Sequence, residues 1–148
     1  ERDRQALIDG VRSGAIDCIA TDHAPHSSNE KEVPFEQAAW GVIGLETAFS
    51  VVFTDLVLPG VLDLGTVVER LSGGAAPFGF EPPRIAPGCE ANMVLVDTQA
   101  EWEAGIEGWE SRSANSCFDG RRLRGRVLMT VAAGRVAYRQ RSFAMGVA

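Results

Sequence analysis

A short polar segment carries the residues of this chain that are best suited to chemistry. Residues 21–26 read Thr-Asp-His-Ala-Pro-His, and they contain both histidines of the 148-residue sequence. The segment follows an apolar run at residues 16–20, which favours a buried parallel strand. In parallel α/β folds the reactive groups lie at the carboxyl ends of such strands. Asp22 could there ligate a metal, or act as general base and acid once a metal lowers the pKa of bound water toward ~7.

The same segment also has a purely structural interpretation. Asp22 could cap a turn, because an aspartate before a loop often bonds to its own backbone. A His-x-x-His pair in a loop is common, and it lacks the helical spacing of the His-Glu-x-x-His zinc motif. A catalytic zinc site needs about three protein ligands, and this sequence offers no convincing trio. The residues alone therefore predict a part of a site.

The first half of the sequence alternates helical periodicity with polar stretches. Asp3 is a candidate cap for a first helix, which we expect to end at Gly14. Residues 22–41 lack periodicity and are predicted to form a long loop, a kind of connection that is usually functional or mobile. Two helices should follow, at residues 45–58 and 64–72, because each run has one apolar face and ends before a Pro-Gly or Gly-Gly pair.

The second half of the sequence is predicted to be rich in strands. After a Pro-Pro pair, apolar runs at residues 93–96 and 127–131 have the character of strands. Ala133-Gly134 stands where a hairpin turn is expected, and residues 136–138 would return as the partner strand. The sequence therefore predicts an α/β half, residues 1 to about 80, and a β-rich half, residues 84 to 148.

Composition places the chain in the class of soluble globular proteins. The formal net charge is −6 and 45% of the residues are hydrophobic, which excludes a disordered tail or a fibre. The acidic balance argues against nucleic acid as a partner, and no apolar run is long enough to cross a bilayer. Cys18, Cys89 and Cys117 lack disulfide or zinc-ribbon spacing, so we expect reduced thiols in a cytoplasmic protein. Because the chain opens on Glu1, we expect its true start to lie upstream.

Residues 16–26 resemble the signature around the last barrel strand of dihydroorotases. They read Ile-Asp-Cys-Ile-Ala-Thr-Asp-His-Ala-Pro-His. The likeness continues in the family's order, with Glu-Lys at 30–31, Pro-Phe at 34–35, Trp-Gly at 40–41 and Gly-Leu-Glu-Thr at 44–47. Allantoinases and hydantoinases usually carry a Ser-Asp-His-x version of this corner. The combination of Asp-His-Ala-Pro-His with Gly-Leu-Glu-Thr is therefore quite specific.

Later segments extend the resemblance over nearly the whole chain. Residues 91–97 read Ala-Asn-Met-Val-Leu-Val-Asp and resemble a family strand, while residues 111–116 and 125–127 resemble its late segments. The fold that this resemblance implies is α/β, namely the C-terminal part of a (β/α)8 TIM-type barrel followed by strands of a small β-sandwich. Residues 1–80 would supply the last strand and outer helices of the barrel, and residues 84–148 the C-terminal strands of the composite sandwich.

The resemblance also implies roles for four residues. Asp22 matches the aspartate that ligates zinc and transfers the proton, and His26 matches the histidine that binds the substrate carboxylate. Trp40 and Gly41 match an aromatic-glycine pair whose backbone contacts the dihydropyrimidine ring, although phenylalanine is commoner than Trp40 there. His23 matches a signature residue without a direct ligand role. The family uses one or two zinc ions, and its remaining metal ligands are absent from this chain.

The implied function is that of a cyclic amide hydrolase. A dihydroorotase hydrolyses L-dihydroorotate reversibly to N-carbamoyl-L-aspartate in de novo pyrimidine biosynthesis, and zinc assists the reaction. Because most zinc ligands of the family lie outside this sequence, we expect the 148-residue chain to be inactive by itself. The expected partners are the small-molecule substrate, a second subunit in a homodimer and aspartate transcarbamoylase. Neither nucleic acid nor a membrane is expected as a partner.

Two other functions stay open. The parent protein could be another cyclic amidohydrolase, such as an allantoinase or a hydantoinase, and substrate profiling separates these from a dihydroorotase. It could also be a non-catalytic, dihydroorotase-like scaffold for aspartate transcarbamoylase. The presence of Asp22 and His26 argues against the scaffold, because such proteins are expected to lose metal ligands.

Overall fold

The computed structural model describes residues 1–145, so the last three residues of the expected sandwich region 84–148 lie outside the described part. Most helices lie in the first half of the chain and the strands in the second, as the sequence predicts, although one short helix follows the strands. The elements are α1 (Arg2–Ser13), α2 (Ser28–Lys31), a 3₁₀ turn (Phe35–Gln37), α3 (Ala48–Val52), a π-helical turn (Phe53–Val57), α4 (Leu64–Ser72), a second 3₁₀ segment (Gly73–Phe78), β1 (Met93–Glu103), β2 (Arg122–Ala132), β3 (Arg135–Arg139) and α5 (Arg141–Met145). Among the helices of this described part, none is long and apolar enough to pass through a membrane.

A small apolar cluster joins α1 to α4. Ile8 of α1, Val67 of α4 and Leu62 between α3 and α4 are buried together. Six partly buried side chains pack around them: Val11, Val52, Leu56, Val57, Val61 and Leu71. Burial of each large aliphatic side chain contributes on the order of 1.5–3 kcal/mol. The cluster therefore fixes how the first and fourth helices lie against each other.

The two ends of α1 show one correct and one wrong prediction. The helix ends at Gly14, as predicted, because this residue adopts φ +82 and its amide donates to the Val11 carbonyl. The cap predicted at Asp3 is wrong, since the helix begins at Arg2 after Glu1. Asp3 lies inside the first turn, where its charge interacts favourably with the positive end of the helix dipole.

The strand predicted at residues 16–20 is not formed. Two amides of this region bond to other parts of the chain, Ile16 to the Gly10 carbonyl and Ile19 to the Arg70 carbonyl. A parallel strand exists only as part of a ladder with a neighbouring strand. No strand lies beside residues 16–20 in the described part of the chain, so the apolar run has the composition of a strand without its hydrogen-bonded partner.

The loop predicted at residues 22–41 is irregular but contains two single turns, α2 and the 3₁₀ turn. The helix predicted at 45–58 forms as α3 and continues as a π-helical turn, in which the Leu58 amide donates to the Phe53 carbonyl over 2.9 Å. Gly60, with φ +74, follows its end. The helix predicted at 64–72 is confirmed as α4, and Asp63 caps it by accepting a hydrogen bond from the Thr66 amide.

The strands form one antiparallel sheet in the order β1-β2-β3. β1 pairs with β2 through Leu95 opposite Met129, and β2 pairs with β3 through Thr130 opposite Tyr138. The turn predicted at Ala133-Gly134 is confirmed, and both residues have positive φ, as a two-residue hairpin turn requires. β1 and β2 are longer than the apolar runs 93–96 and 127–131. The extra residues of β1 alternate between exposed and half-buried positions, and those of β2 alternate between buried and less buried positions.

Helix α3 packs on β2 at a glycine. Gly125 of β2 has φ +83, and a Cβ there would lie 2.9 Å from Phe53 Cδ1 and 3.0 Å from Phe49 Cε1. The two phenylalanine rings are stacked with centroids 5.5 Å apart. Ser50 donates a hydrogen bond to the Gly125 carbonyl and accepts one from Trp102 Nε1. This contact attaches the helical part of the chain to the sheet.

The close approach at Gly125 predicts a specific loss of stability. Gly125→Ala should lower the free energy of unfolding by about 2–4 kcal/mol, because it combines strain at positive φ with overpacking against the phenylalanine pair. Urea denaturation of the purified protein measures this loss. Gly79→Ala is the matched control, since Gly79 has φ +82 but no atom within 4 Å of the added Cβ. It should lose about 1 kcal/mol, and equal losses in both variants would contradict the proposed contact.

Candidate functional site

Asp22 stands at the end of the apolar run in an unusual backbone conformation. Its φ is +45, and its side chain is exposed. Aspartate tolerates the left-handed region better than most residues, because its short polar side chain can bond locally. The carboxylate is therefore available to solvent, at the point where the chain turns from residues 16–20 into the irregular loop.

The side chain of the next residue, His23, is hydrogen-bonded to backbone amides. Its Nδ1 accepts hydrogen bonds from the amides of Gly44 and Leu45, over 3.1 and 3.3 Å. A ring nitrogen that accepts from N–H donors carries no proton, so the neutral ring is protonated at Nε2. His23 thereby holds the turn before α3 against the loop that contains Asp22.

The His26 side chain contacts the backbone of the Trp40-Gly41 pair. Its Nε2 lies 2.8 Å from the Trp40 carbonyl oxygen, and since a carbonyl only accepts, Nε2 must be the donor. Its Nδ1 lies 3.9 Å from a carboxylate oxygen of Glu30. The structure thus brings His26 and the Trp40-Gly41 pair together, although they are 14 residues apart.

The Trp40-Gly41 pair presents its backbone, not its indole, to this region. The Trp40 side chain is 90% exposed. Gly41 has φ +97, and a Cβ on it would lie 2.6 Å from Ala24 Cβ, so no other residue fits without displacing the loop. Lys31 Nζ donates to the carbonyls of Ala39 and Gly41, over 2.8 and 3.1 Å.

Residues from the second half of the chain complete this region, and sequence reasoning gave them no role. The Asn115 side chain accepts from the His26 amide and donates to the carbonyls of Ala24 and Gly41. Ser113 Oγ donates to the His26 carbonyl. Residues 111–116 resemble a family segment, which indicated that this region matters. No local sequence pattern shows, however, that these residues contact a loop about 90 residues earlier in the chain.

Glu46 forms a second connection between the two halves. Its two carboxylate oxygens accept hydrogen bonds from the backbone amides of Glu110 and Ser111, each over 2.9 Å. Hydrogen bonds to an ionised acceptor are roughly twice as strong as neutral ones. Glu46 therefore anchors the chain just before Ser113 and Asn115.

The donor set for a metal is incomplete in the described residues. Within residues 1–145, no three His, Cys, Asp or Glu side chains lie close enough together to hold a metal ion. Asp22 has the right chemistry for one oxygen ligand of zinc, but a catalytic zinc needs about three protein ligands. His23 Nδ1 is already occupied by two amides. These residues therefore do not form a zinc site by themselves.

Comparison with solved structures identifies the class of fold. The D-hydantoinase (dihydropyrimidinase) from Thermus sp. is 28% identical to this chain with a TM-score of 0.79, and the match covers 91% of this chain and 31% of that one. The dihydropyrimidinase from Brevibacillus agri matches at 25% identity with a TM-score of 0.81. The chain has the fold of one part of these cyclic amide hydrolases of the amidohydrolase superfamily.

The sequence is more similar to dihydroorotases. It is 40% identical over 142 residues to the dihydroorotase of Wolbachia sp. subsp. Brugia malayi, a match that covers 95% of this chain and 32% of that protein. The chain spans about one third of the length of the curated dihydroorotases it matches. The resemblance to a portion of dihydroorotases that the motifs predict is therefore confirmed. No family model matches the chain.

The turn after His26 yields a testable electrostatic prediction. Ser27 donates to the Glu30 carboxylate from both its hydroxyl and its backbone amide, over 2.7 and 2.8 Å. These bonds hold the pKa of Glu30 below its usual range. Ser27→Ala should raise the pKa of Glu30, because it removes the hydroxyl bond, which is the larger of the two causes. An NMR pH titration of the Glu30 side chain measures the change.

The sign of the effect on folding follows from the same shift. A carboxyl whose pKa is lowered by folding stabilises the fold above its unfolded pKa, which is about 4.3 for glutamate, and this contribution is lost as the pH falls from that value through the lower pKa of the folded state. Ser28→Ala is the matched control, since it removes the adjacent exposed hydroxyl and should leave the Glu30 titration unchanged. An unchanged Glu30 titration in Ser27→Ala would show that the hydroxyl bond is not formed.

Proposed function

We propose that this chain is the C-terminal portion of a dihydroorotase, which hydrolyses L-dihydroorotate reversibly to N-carbamoyl-L-aspartate. The observation that carries the proposal is 40% identity to a dihydroorotase across 95% of the chain. The dihydroorotase of Chlorobaculum tepidum adds support, with 45% identity over 126 residues. The proximity of His26 to the Trp40-Gly41 backbone is the geometry expected if both contact one small substrate.

The finer architecture belongs to the same proposal. Residues 1–80 would contribute the last strand and outer helices of a (β/α)8 barrel, and residues 84–148 the C-terminal strands of a composite β-sandwich. Two features support this division. The strand-like run 16–20 lies without a partner strand in the described residues, as expected of a barrel strand separated from its neighbours. The helices that precede the sheet also end at residue 78, and the strands begin at 93.

Asp22 is proposed as both a metal ligand and a proton carrier. Zinc, as one or two ions, would lower the pKa of bound water and polarise the ring carbonyl. The remaining ligands are proposed to lie outside this chain, because the described residues contain no three-ligand cluster. The exposed Asp22 carboxylate would take up a proton and deliver it to the leaving ring nitrogen. The isolated 148-residue chain is accordingly proposed to be inactive.

His26 is proposed to bind the substrate carboxylate, and the structure limits how it can do so. Its Nε2–H is directed at the Trp40 carbonyl, and its backbone amide is directed at Asn115. A carboxylate needs an N–H donor, so it must share Nε2–H with Trp40 or bind a protonated Nδ1. The backbone of Gly41 lies beside this ring system and is proposed to contact the dihydropyrimidine ring.

The proposed partners follow from the same assignment. The relatives are enzymes of small-molecule metabolism, and we propose a small-molecule substrate here too, in a cytoplasmic enzyme. A homodimer and a complex with aspartate transcarbamoylase are the proposed assemblies. Nucleic acid is disfavoured by the net charge of −6.

A hydantoinase is the second candidate function. The observation that favours it is the match to the Thermus D-hydantoinase at a TM-score of 0.79. The identity to that protein is 28%, against 40% to a dihydroorotase over a similar share of the chain. Ring opening of hydantoin without ring opening of dihydroorotate, measured on the full-length protein, would favour this second candidate.

Removal of the Asp22 carboxylate tests the leading proposal. In the full-length protein that contains this chain, Asp22→Ala should lower the kcat for dihydroorotate hydrolysis by about 10²–10⁴-fold, because both a metal ligand and the proton carrier are lost. The measurement is steady-state hydrolysis with zinc supplied and with zinc chelated, together with zinc content.

Asp17→Ala is the control for that experiment. Asp17 is an exposed aspartate five residues earlier on the same run, and its removal should leave kcat within about 3-fold of wild type, as expected for a surface substitution. A full-length, zinc-loaded protein that keeps its activity in Asp22→Ala would exclude the catalytic role of this carboxylate.

A further inference from the structure

We propose that Asn115 is a positioning residue, which holds the two segments that contact substrate in register with each other. This inference rests on the proposed function, because it assigns His26 and Gly41 to substrate contacts. Asn115 comes from the loop between β1 and β2, about 90 residues after His26. Asn115 would act through the backbone of His26 and Gly41 and would not contact the substrate itself.

The Asn115 side chain uses all of its donors. An amide has one carbonyl acceptor and two N–H donors. Oδ1 accepts from the His26 amide over 3.2 Å, while Nδ2 donates to the Ala24 carbonyl over 2.9 Å and the Gly41 carbonyl over 3.3 Å. One side chain therefore bridges the two irregular segments of the site, the one after Asp22 and the one after Trp40.

The surrounding contacts reinforce this bridge. The Asn115 carbonyl accepts a hydrogen bond from the amide of the buried Ile43. Ser113 Oγ donates to the His26 carbonyl, so both backbone groups of His26 are bound by residues 113–115. The two site segments are also joined by one backbone–backbone bond, from the Ala24 amide to the Val42 carbonyl over 3.0 Å. The rings of His23 and His26 add side-chain bonds between the same segments, but among the described residues Asn115 alone contacts both segments from the second half of the chain through one side chain.

The hydrogen bonds from residues 113–115 to the His26 backbone limit where the His26 ring can reach. Residues 21–27 form no helix or strand, so no ladder fixes the direction of the His26 ring. Fixing its N–H and carbonyl to residues 113–115 limits the rotation of the His26 backbone and hence the reach of the ring. His26 and Gly41 are assigned to substrate binding and not to proton transfer, and a change that removes binding shared by substrate and transition state raises KM without lowering kcat. Loss of Asn115 should therefore weaken substrate binding more than the chemical step.

The experiment uses the full-length protein and two asparagine variants. Asn115→Ala removes the bridge. Asn92→Ala is the matched control, because Asn92 also accepts from a backbone amide, that of Ala133 over 2.8 Å, at the hairpin between β2 and β3. Hydrogen–deuterium exchange of residues 22–45 reports on the site segments without any need for activity. The KM and kcat for dihydroorotate report on the reaction.

In Asn115→Ala, the amide hydrogens of residues 22–45 should exchange at least about 10-fold faster than in the wild type. The KM should rise about 10-fold, with kcat changed less than about 3-fold. Asn92→Ala should leave both readouts unchanged. His26→Ala should also raise KM, and the double variant with Asn115→Ala should lose less than the two single losses combined, because residues that act as a unit are not additive. Additive losses would overturn the proposal.

Asn115→Asp provides a second variant if Asn115→Ala fails to fold. It keeps the acceptor for the His26 amide but removes both donors, so exchange should increase at residues 41–43 and stay slow at His26. Unchanged exchange at residues 41–43 in this variant would overturn the bridge. If the full-length protein does not hydrolyse dihydroorotate, the proposed function is wrong. The exchange measurement still decides whether Asn115 holds the two segments together.

Discussion

Backbone polar groups in an irregular segment must find hydrogen-bond partners outside any helix or sheet, and this constraint shapes the candidate site. Residues 21–27 and 38–47 form no strand and no helix, yet their amides and carbonyls are bonded by side chains. The His23 ring accepts from the turn before α3, and Lys31 donates to the carbonyls of residues 39 and 41. Asn115 bridges the two segments. Side-chain hydrogen bonds therefore take the place of the missing ladder in this loop.

The surface of the chain agrees with a role as one part of a larger protein. Several large apolar side chains are more than half exposed: Leu7, Phe35, Trp40, Leu45, Val94, Phe78, Phe80, Ile85, Ile106 and Val136. Extended apolar surface is typical of regions that contact other protein. β1 and β3 are both edge strands in the described sheet, and open edges are ready to pair with further strands. These features support the proposal that residues outside this chain cover it.

Local features were predictable from the sequence, and long-range ones were not. Gly14 and Ala133-Gly134 were predicted correctly, because a helix end and a two-residue turn depend on the φ of the residues themselves. The strand at 16–20 was predicted wrongly, because a strand also requires a neighbour that composition cannot reveal. Asn115 received no role, since its three partners lie 74 to 91 residues away. The roles of Asp22 and His26 came from resemblance to a family and stay predictions.

A crystal structure of the zinc-loaded, full-length protein tests the central claim most directly. The claim is that Asp22 supplies one ligand of a zinc site whose remaining ligands lie outside this chain. We expect an Asp22 carboxylate oxygen about 2.0–2.2 Å from zinc, with the other protein ligands from outside these 148 residues. A fully occupied zinc ion whose coordination sphere leaves out Asp22 would exclude this carboxylate as a zinc ligand.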